Sequence, residues 1–434
     1  MYQGTEEVLH NETLRETVYK RTHETGLPVY FCHKPGFQKR YACFATHYGS
    51  VDTAFSAPGL GRQQVADGVA HFLEHKVFER EDGNALELFS KRGAACNAYT
   101  SYAVTNYLFS CGDGFFDHLG ALVDFVLTPY ITDENVEKEK GIIGQEIRMY
   151  EDHAGWRIFT NLMAGLYQNH PVRNDIAGTV ESIAELNTES LYACHRSFYH
   201  PGNMIAFGIG DEDRERFFET MDASLARHPE WAAVEGVEKH YPDEPASIAD
   251  ANRVLEMEVS MPQLLVGIKD RSAGKTGRAF LKQELVTDIL LEIVFGKASA
   301  IYQQLYADKL IDESFSTHYS AYGNIGFSVI GGDTEDPEKL ANAVRGEIEA
   351  ARDRGVSAED FERQKRASMG SFFRMFNSLD FTANNFCTYR FYGVDLFDII
   401  DVLHSIEISD LTDRLSEHFC VDAVSTSAVI PKGQ

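Results

Sequence analysis

Apolar positions along the chain recur with two different periods. Valines 65 and 69, then Phe72, Leu73 and Val77, fall three or four residues apart, which predicts a helix with one apolar face. A second, charged helix is predicted from ENVEKEKGIIGQEIRMYEDH (134–153). Strands are predicted in YACFATHYGS (41–50), AVTNYLFSC (103–111) and NMIAFGIGD (203–211), alternating with helical patterns through Ile176 in an α+β arrangement. Residues 227–251, RHPEWAAVEGVEKHYPDEPASIADA, are polar and proline-bearing and predict a linker.

Beyond the linker the order begins again. RVLEMEVSMPQLLVGIKD (253–270) reads as strands, RAFLKQELVTDILLEIVFG (278–296) as a helix, GNIGFSVIGG (323–332) as a strand and DPEKLANAVRGEIEAARDRG (336–355) as a helix. This predicts a duplicated architecture with little residue-level identity: a first domain over 1–226, a linker over 227–251 and a second domain over 252–434.

Composition narrows the functional classes. A chain of 434 residues buries a sizeable core in two or three domains. Its formal charge of −26 argues against a nucleic-acid partner, because phosphate backbones need Lys and Arg to displace counterions. Two readings of the acidity stay open, a solvated surface or an acidic chamber for basic peptides. No amino-terminal basic segment precedes an apolar run, and no stretch of ~18 apolar residues occurs, so a cytoplasmic protein without a membrane partner is expected. The seven cysteines, at 32, 43, 96, 111, 194, 387 and 420, never form Cys-x-x-Cys, which points to reduced thiols and leaves histidine and carboxylate as candidate metal ligands. Two glycine-bearing stretches carry no nucleotide chemistry: GIGDED (208–213) lacks the third glycine and helix start of a dinucleotide fingerprint and predicts a tight turn, and FGKAS (295–299) lacks the upstream glycine of a phosphate loop.

The first helix carries the candidate chemistry. In GVAHFLEHKVFE (68–79), His71 and His75 lie one turn apart and can converge on one ion, with Glu74 beside them. Two neutral imidazoles, a third protein ligand and an open position make a hydrolytic zinc site, in which a carboxylate takes the proton of zinc-bound water. The plain alternative is an amphipathic helix with two structural histidines. Glu139 and Glu146, seven residues apart on the second helix, share a face, so one can bind metal while the other orients a ligand from behind it, or both can belong to a solvated charged helix. Of the other histidines, His200 precedes a proline and is expected to be structural. His170 carries no ligand spacing, and His47 and His153 stay open as cavity-lining groups.

Together these residues resemble the insulinase or pitrilysin (M16) family of inverted-motif zinc metallopeptidases, which use H-x-x-E-H and a later E-x-x-x-x-x-x-E. HFLEH and EKGIIGQE fit. The resemblance implies His71, His75 and Glu146 as ligands of Zn2+, Glu139 as the companion behind them and Glu74 as the base. It implies that NAYTSYAVTNYLF (97–109) is the strand beside the metal, with Asn97, Ala98 and Tyr99 holding an extended peptide by strand addition. HPVRNDIAGTVESI (170–183) and FYHPGNMIAFGIGD (198–211) resemble further, mainly structural, landmarks. FATHYGSVD and AHFLEHKVFEREDGNALELFSKRGAACNAYTSY are closest to the half-length bacterial members of the YmfH type.

The implied fold is α+β, two homologous domains, each a mainly antiparallel sheet packed with helices as in the mitochondrial processing peptidase and LuxS, forming half of a clamshell. The implied function is a zinc-dependent endopeptidase or peptide-processing subunit that cleaves unfolded peptides in an enclosed cavity. One departure stands out: the family's Arg and Tyr, seven residues apart, which bind the substrate carbonyl, correspond here to Tyr306 and Glu313 in LYADKLIDE (305–313). A homologous partner subunit is therefore expected to supply that pair in a heterodimer, with a homodimer as the form open to the isolated chain. The alternative function is a non-proteolytic scaffold or maturation partner that keeps the peptidase fold.

Overall fold

The computed structural model describes residues 2–231 and 236–433. Residues 232–235 of the expected linker, and Met1 and Gln434 at the outer ends of the two expected domains, lie outside the described residues.

Two compact units are present. The first is built on a seven-stranded sheet of β1 (Tyr2–Asn11), β2 (Glu16–His23), β3 (Pro28–His33), β4 (Arg40–Thr46), β5 (Ala95–Thr100), β6 (Thr105–Cys111) and β7 (Met204–Gly210), in the order β1-β2-β3-β7-β4-β6-β5. All neighbours are antiparallel except β3 and β7. The second has five strands, β8 (Asn252–Met257), β9 (Gln263–Lys269), β10 (Ser316–Tyr322), β11 (Ile325–Asp333) and β12 (Val424–Pro431), in the order β8-β12-β9-β11-β10, with β8 and β12 parallel. Counted from β3, the first sheet repeats the second strand for strand: first, last, second, fourth, third, with the one parallel pair at the same place. The duplication read from the order of elements is a duplication of topology.

The units do not follow a single cut in the chain. After the fourth strand of each repeat comes a run of helices, and the third helix of each run belongs to the other unit. Helix α3 (Ala154–Leu166) packs on β9 and β12, where Gly267 leaves room for Leu162 and Leu166. Helix α4 (Leu379–Phe391) packs on β4 and β7, with Phe386 4.6 Å from Phe207 and 4.9 Å from Tyr30. A boundary at 226 or 252 therefore does not separate the units, because each sheet covers one of its faces with a helix from the other half of the chain.

Other differences from the sequence reading are local. The described part of the expected linker is anchored: Trp231 donates to Tyr199 O at 2.7 Å, and Glu244 accepts the backbone N–H groups of residues 168–170. The metal-side strand is a hairpin, turning at 101–104. A helix does start right after GIGDED, at Arg214, capped by Asp213. The turn before it is filled by Asp211, whose carboxylate meets His33 and the Gly36 N–H and gives an anion no place.

Candidate metal centre

Helix α1 (Val69–Val77) begins after Gly68, whose φ of 89° and close approach to Ala177 O exclude a side chain there. Phe72, Leu73 and Val77 enter the core of the first unit. That packing fixes the rotation of the helix and leaves His71 and His75 half-buried on the adjoining face, 13 % and 28 % exposed. Helix α2 (Asp133–Glu151) buries Val136, Ile143 and Ile147 and so turns Glu139 and Glu146 toward α1.

Donor atoms of His71, His75 and Glu146 all lie within 4.8 Å of one another, and this is the group of such residues among those described that could hold a metal ion. His71 Nε2 is 3.6 Å from Glu146 Oε1, and His75 Nε2 is 3.6 Å from Oε2. These separations are too long for hydrogen bonds. They are close to the edge of a zinc tetrahedron, about 3.3–3.5 Å for bonds of about 2.0–2.1 Å. Burial, helped by the neighbouring His75, pushes the His71 imidazole down to about 3, so it is neutral and able to ligate. Its Nδ1 is buried without a hydrogen-bond partner among the described residues. His75 Nδ1 bonds Glu139 Oε1 at 3.0 Å; burial opposes a proton on His75, but Glu139 outweighs it and raises the pKa. Carboxylate-to-histidine bonding of this kind fixes the ring and its tautomer. A His2Glu donor set with its atoms at this spacing fits zinc.

Glu74 points into the same space and is 8 % exposed. Burial raises its pKa, against a 2.6 Å hydrogen bond from Thr100 Oγ1 that lowers it. A carboxylate made more basic, held beside three convergent ligand atoms, suits proton transfer at neutral pH.

Strand β5 is the outer strand of its sheet, next to α1. Cys96 and Ala98 pack toward the α1 core, which places Thr100 on the same face by strand alternation. Asn97 is exposed, and its Oδ1 accepts the N–H of Ala98 at 2.9 Å. The Tyr99 hydroxyl accepts from Asn106 Nδ2 on the other face. The structure thus brings His71, His75, Glu146, Glu139 and Glu74 together, whereas the side chains of Asn97 and Tyr99 lie on the opposite face of β5 from Thr100.

Two residues that the sequence did not single out belong to the site. Thr100 meets Glu74. Lys76 is fully buried next to His75; its Nζ donates to Asn135 O at 3.2 Å and lies 3.7 Å from Glu139 Oε2. Strand parity within NAYT puts Thr100 on the face of Ala98, and Lys76 falls on the apolar stripe with Val69, Phe72 and Leu73, which signals burial but not its partner. The remaining histidines stand apart. His47 stacks on Phe391 with burial driving its pKa down, His153 caps α3, His170 caps the turn 171–173, and His200 is buried. Tyr306 is 47 % exposed on the helix Ala300–Ala307, and Glu313 is exposed in the loop after it.

The chain is similar to known proteins over nearly all of its length. Residues 63–180 match the family model described as Insulinase (Peptidase family M16), and residues 185–368 match that of the Peptidase M16 inactive domain. Over 422 residues the chain is 40 % identical to the zinc protease YmfH of Bacillus subtilis (strain 168), covering 97 % of this chain and 98 % of that protein. Among solved structures it is similar to an M16-like peptidase from Alicyclobacillus acidocaldarius, with a TM-score of 0.90, 35 % identity and 99 % of each chain covered. It also shares the fold of part of pitrilysin, with a TM-score of 0.76 and 14 % identity, covering 99 % of this chain and 47 % of that one.

Proposed function

The chain belongs to the insulinase (M16) family of peptidases, and from that premise we propose that it is the zinc-bearing subunit of an endopeptidase that cleaves unfolded peptides. The observation that carries the proposal is the convergence of His71, His75 and Glu146 beside the buried carboxylate of Glu74. A zinc ion held by the first three would supply Lewis-acid polarisation and a nucleophile at neutral pH. Glu74 then accepts the proton of the attacking water and delivers it to the leaving amine. Glu139 keeps the His75 ring turned toward Glu146. The peptide adds as a strand along the outer edge of β5, where Asn97, Ala98 and Tyr99 present their backbone.

A homologous subunit completes the site in this proposal. Tyr306 and Glu313 offer no guanidinium for the substrate carbonyl, and the chain spans about half of pitrilysin. A pure scaffold would not need a buried base beside three ligands, which weighs against that alternative. The compartment proposed is the reducing cytoplasm, where the seven free thiols are at home. Among the described residues no helix is long and apolar enough to cross a membrane.

The test is Glu74→Gln. The variant should keep one zinc per chain and lose cleavage of a mixed-sequence peptide by on the order of 10²- to 10⁴-fold. Wild-type turnover in the Gln variant would remove Glu74 from the mechanism.

A further inference from the structure

We propose that Thr100 is a positioning residue for the base: its hydroxyl sets the place of the Glu74 carboxylate, and the segment 49–52 sets the place of Thr100. The inference rests on the proposed role of Glu74.

A glutamate reaches its carboxylate through three rotatable bonds, so burial alone does not aim it. Among the described residues the hydrogen-bond partner of Glu74 is Thr100 Oγ1, 2.6 Å from Oε2. Thr100 is β-branched and lies on a strand, so its own rotamer is stiff. Its hydroxyl sits 3.4 Å from that of Thr105, across the hairpin. Thr105 gives its own proton to Tyr48 O at 2.9 Å, so the Thr100 proton has two acceptors in reach, and the Glu74 carboxylate at 2.6 Å is much closer than the Thr105 oxygen.

The hairpin behind Thr100 has little freedom. Ser101 closes the turn, its backbone N–H on Val104 O at 2.8 Å and its Oγ accepting the Val104 N–H at 3.1 Å. The turn is held from outside by the N–H groups of Ser50 and Val51, which donate to Ser101 O and Tyr102 O at 3.0 and 3.1 Å. Gly49 permits this approach, since a Cβ there would run into the backbone of Tyr102 and Ala103. Its N–H donates to Asp52 Oδ2 at 2.9 Å. Asp52 is fully buried and is in turn held by Lys239 Nζ at 2.9 Å and the Tyr241 hydroxyl at 2.6 Å. A line of short contacts thus runs from Asp52 through Gly49 and the turn to the base.

Thr100→Val keeps the shape and removes the proton. Zinc-loaded variant and wild type are compared with the homologous subunit present, on a quenched fluorescent peptide. The expected result is a fall in kcat on the order of 10- to 100-fold, the cost of a misplaced group, with KM, zinc content and Tm unchanged and with Thr100→Ser restoring most of the loss. Wild-type kcat in the Val variant, or a Ser variant as slow as Val, would overturn the inference. Glu74→Gln run in parallel separates the two failures: if it cleaves normally, the base assignment is at fault. Independently of activity, a crystal structure of zinc-loaded Thr100→Val should show the Glu74 carboxylate moved or split between rotamers, and an unmoved single conformer would count against Thr100.

Discussion

Glu139 has to satisfy two neighbours with one carboxylate. One oxygen takes the His75 Nδ1 hydrogen bond at 3.0 Å, and the other faces Lys76 Nζ at 3.7 Å inside the protein. Burial works against its charge, but His75 and Lys76 together hold the carboxyl below its ordinary pKa. An ionised Glu139 raises the basicity of the ring it touches, and a metal ligand benefits directly. Glu139→Gln keeps the hydrogen-bond acceptor and removes the charge. It should weaken zinc binding by about 10- to 100-fold, read by competition with a chromogenic chelator, while the circular dichroism spectrum stays that of the wild type. Unchanged affinity would mean that Glu139 orients His75 without tuning it. At this scale the candidate ligands and base were legible because helix period places i, i+3, i+4 and i+7 without any tertiary knowledge. The partners of Thr100 and Lys76 were not, because they depend on which strand and which helix come to face α1.

Elements behave likewise: those with a strong internal period were legible, and their partners were not. The helix over 278–296 and the strands at 41–50 and 203–211 appear within a residue or a few of Gly277–Phe295, Arg40–Thr46 and Met204–Gly210. What period cannot show is how the ends of elements are tied. In the second unit Asp270, at the end of β9, is fully buried and joins four elements: it accepts from Arg414 on the helix Ile408–His418, from Gln283 on the helix Gly277–Phe295, from the Tyr319 hydroxyl of β10 and from the Ser272 N–H. Burial opposes its charge, yet His418, Arg414 and Tyr319 hold the Asp270 carboxyl well below its usual value. A depressed folded pKa adds stability that is present above the unfolded value of about 3.9 and is lost as pH falls through the folded value. Arg414→Met keeps the volume but strands the carboxylate, whose folded pKa then rises by burial. The variant should be about 3–5 kcal/mol less stable at pH 7. Its deficit should shrink as pH is lowered toward 4, because protonation relieves the stranded charge in the variant before it harms the wild type. Urea denaturation at both pH values checks this, and a deficit that grows on acidification would refute it.

For the whole molecule, the duplication was legible and the exchange of helices was not. Repeated strand and helix order shows in the pattern, whereas the apolar stripe of α3 or α4 says only that a sheet is needed, not whose. The same limit of scale applies to the chemistry. The first unit holds a set of candidate ligands and a base, but in the proposed correspondence the stretch that would carry the carbonyl-binding Arg and Tyr has Tyr306 and Glu313 instead. Loss of such donors costs on the order of 10²- to 10³-fold each in turnover. The proposed remedy, a homologous subunit, separates metal binding from catalysis in a measurable way. The isolated chain should bind one zinc with full affinity and cleave peptides at a rate lower by on the order of 10³-fold or more than the same chain copurified with its homologue. Substituting the Arg of the homologue should return the pair to the rate of the isolated chain without changing its zinc content. Full activity of the isolated chain would place the carbonyl donors within this sequence and end the case for a partner.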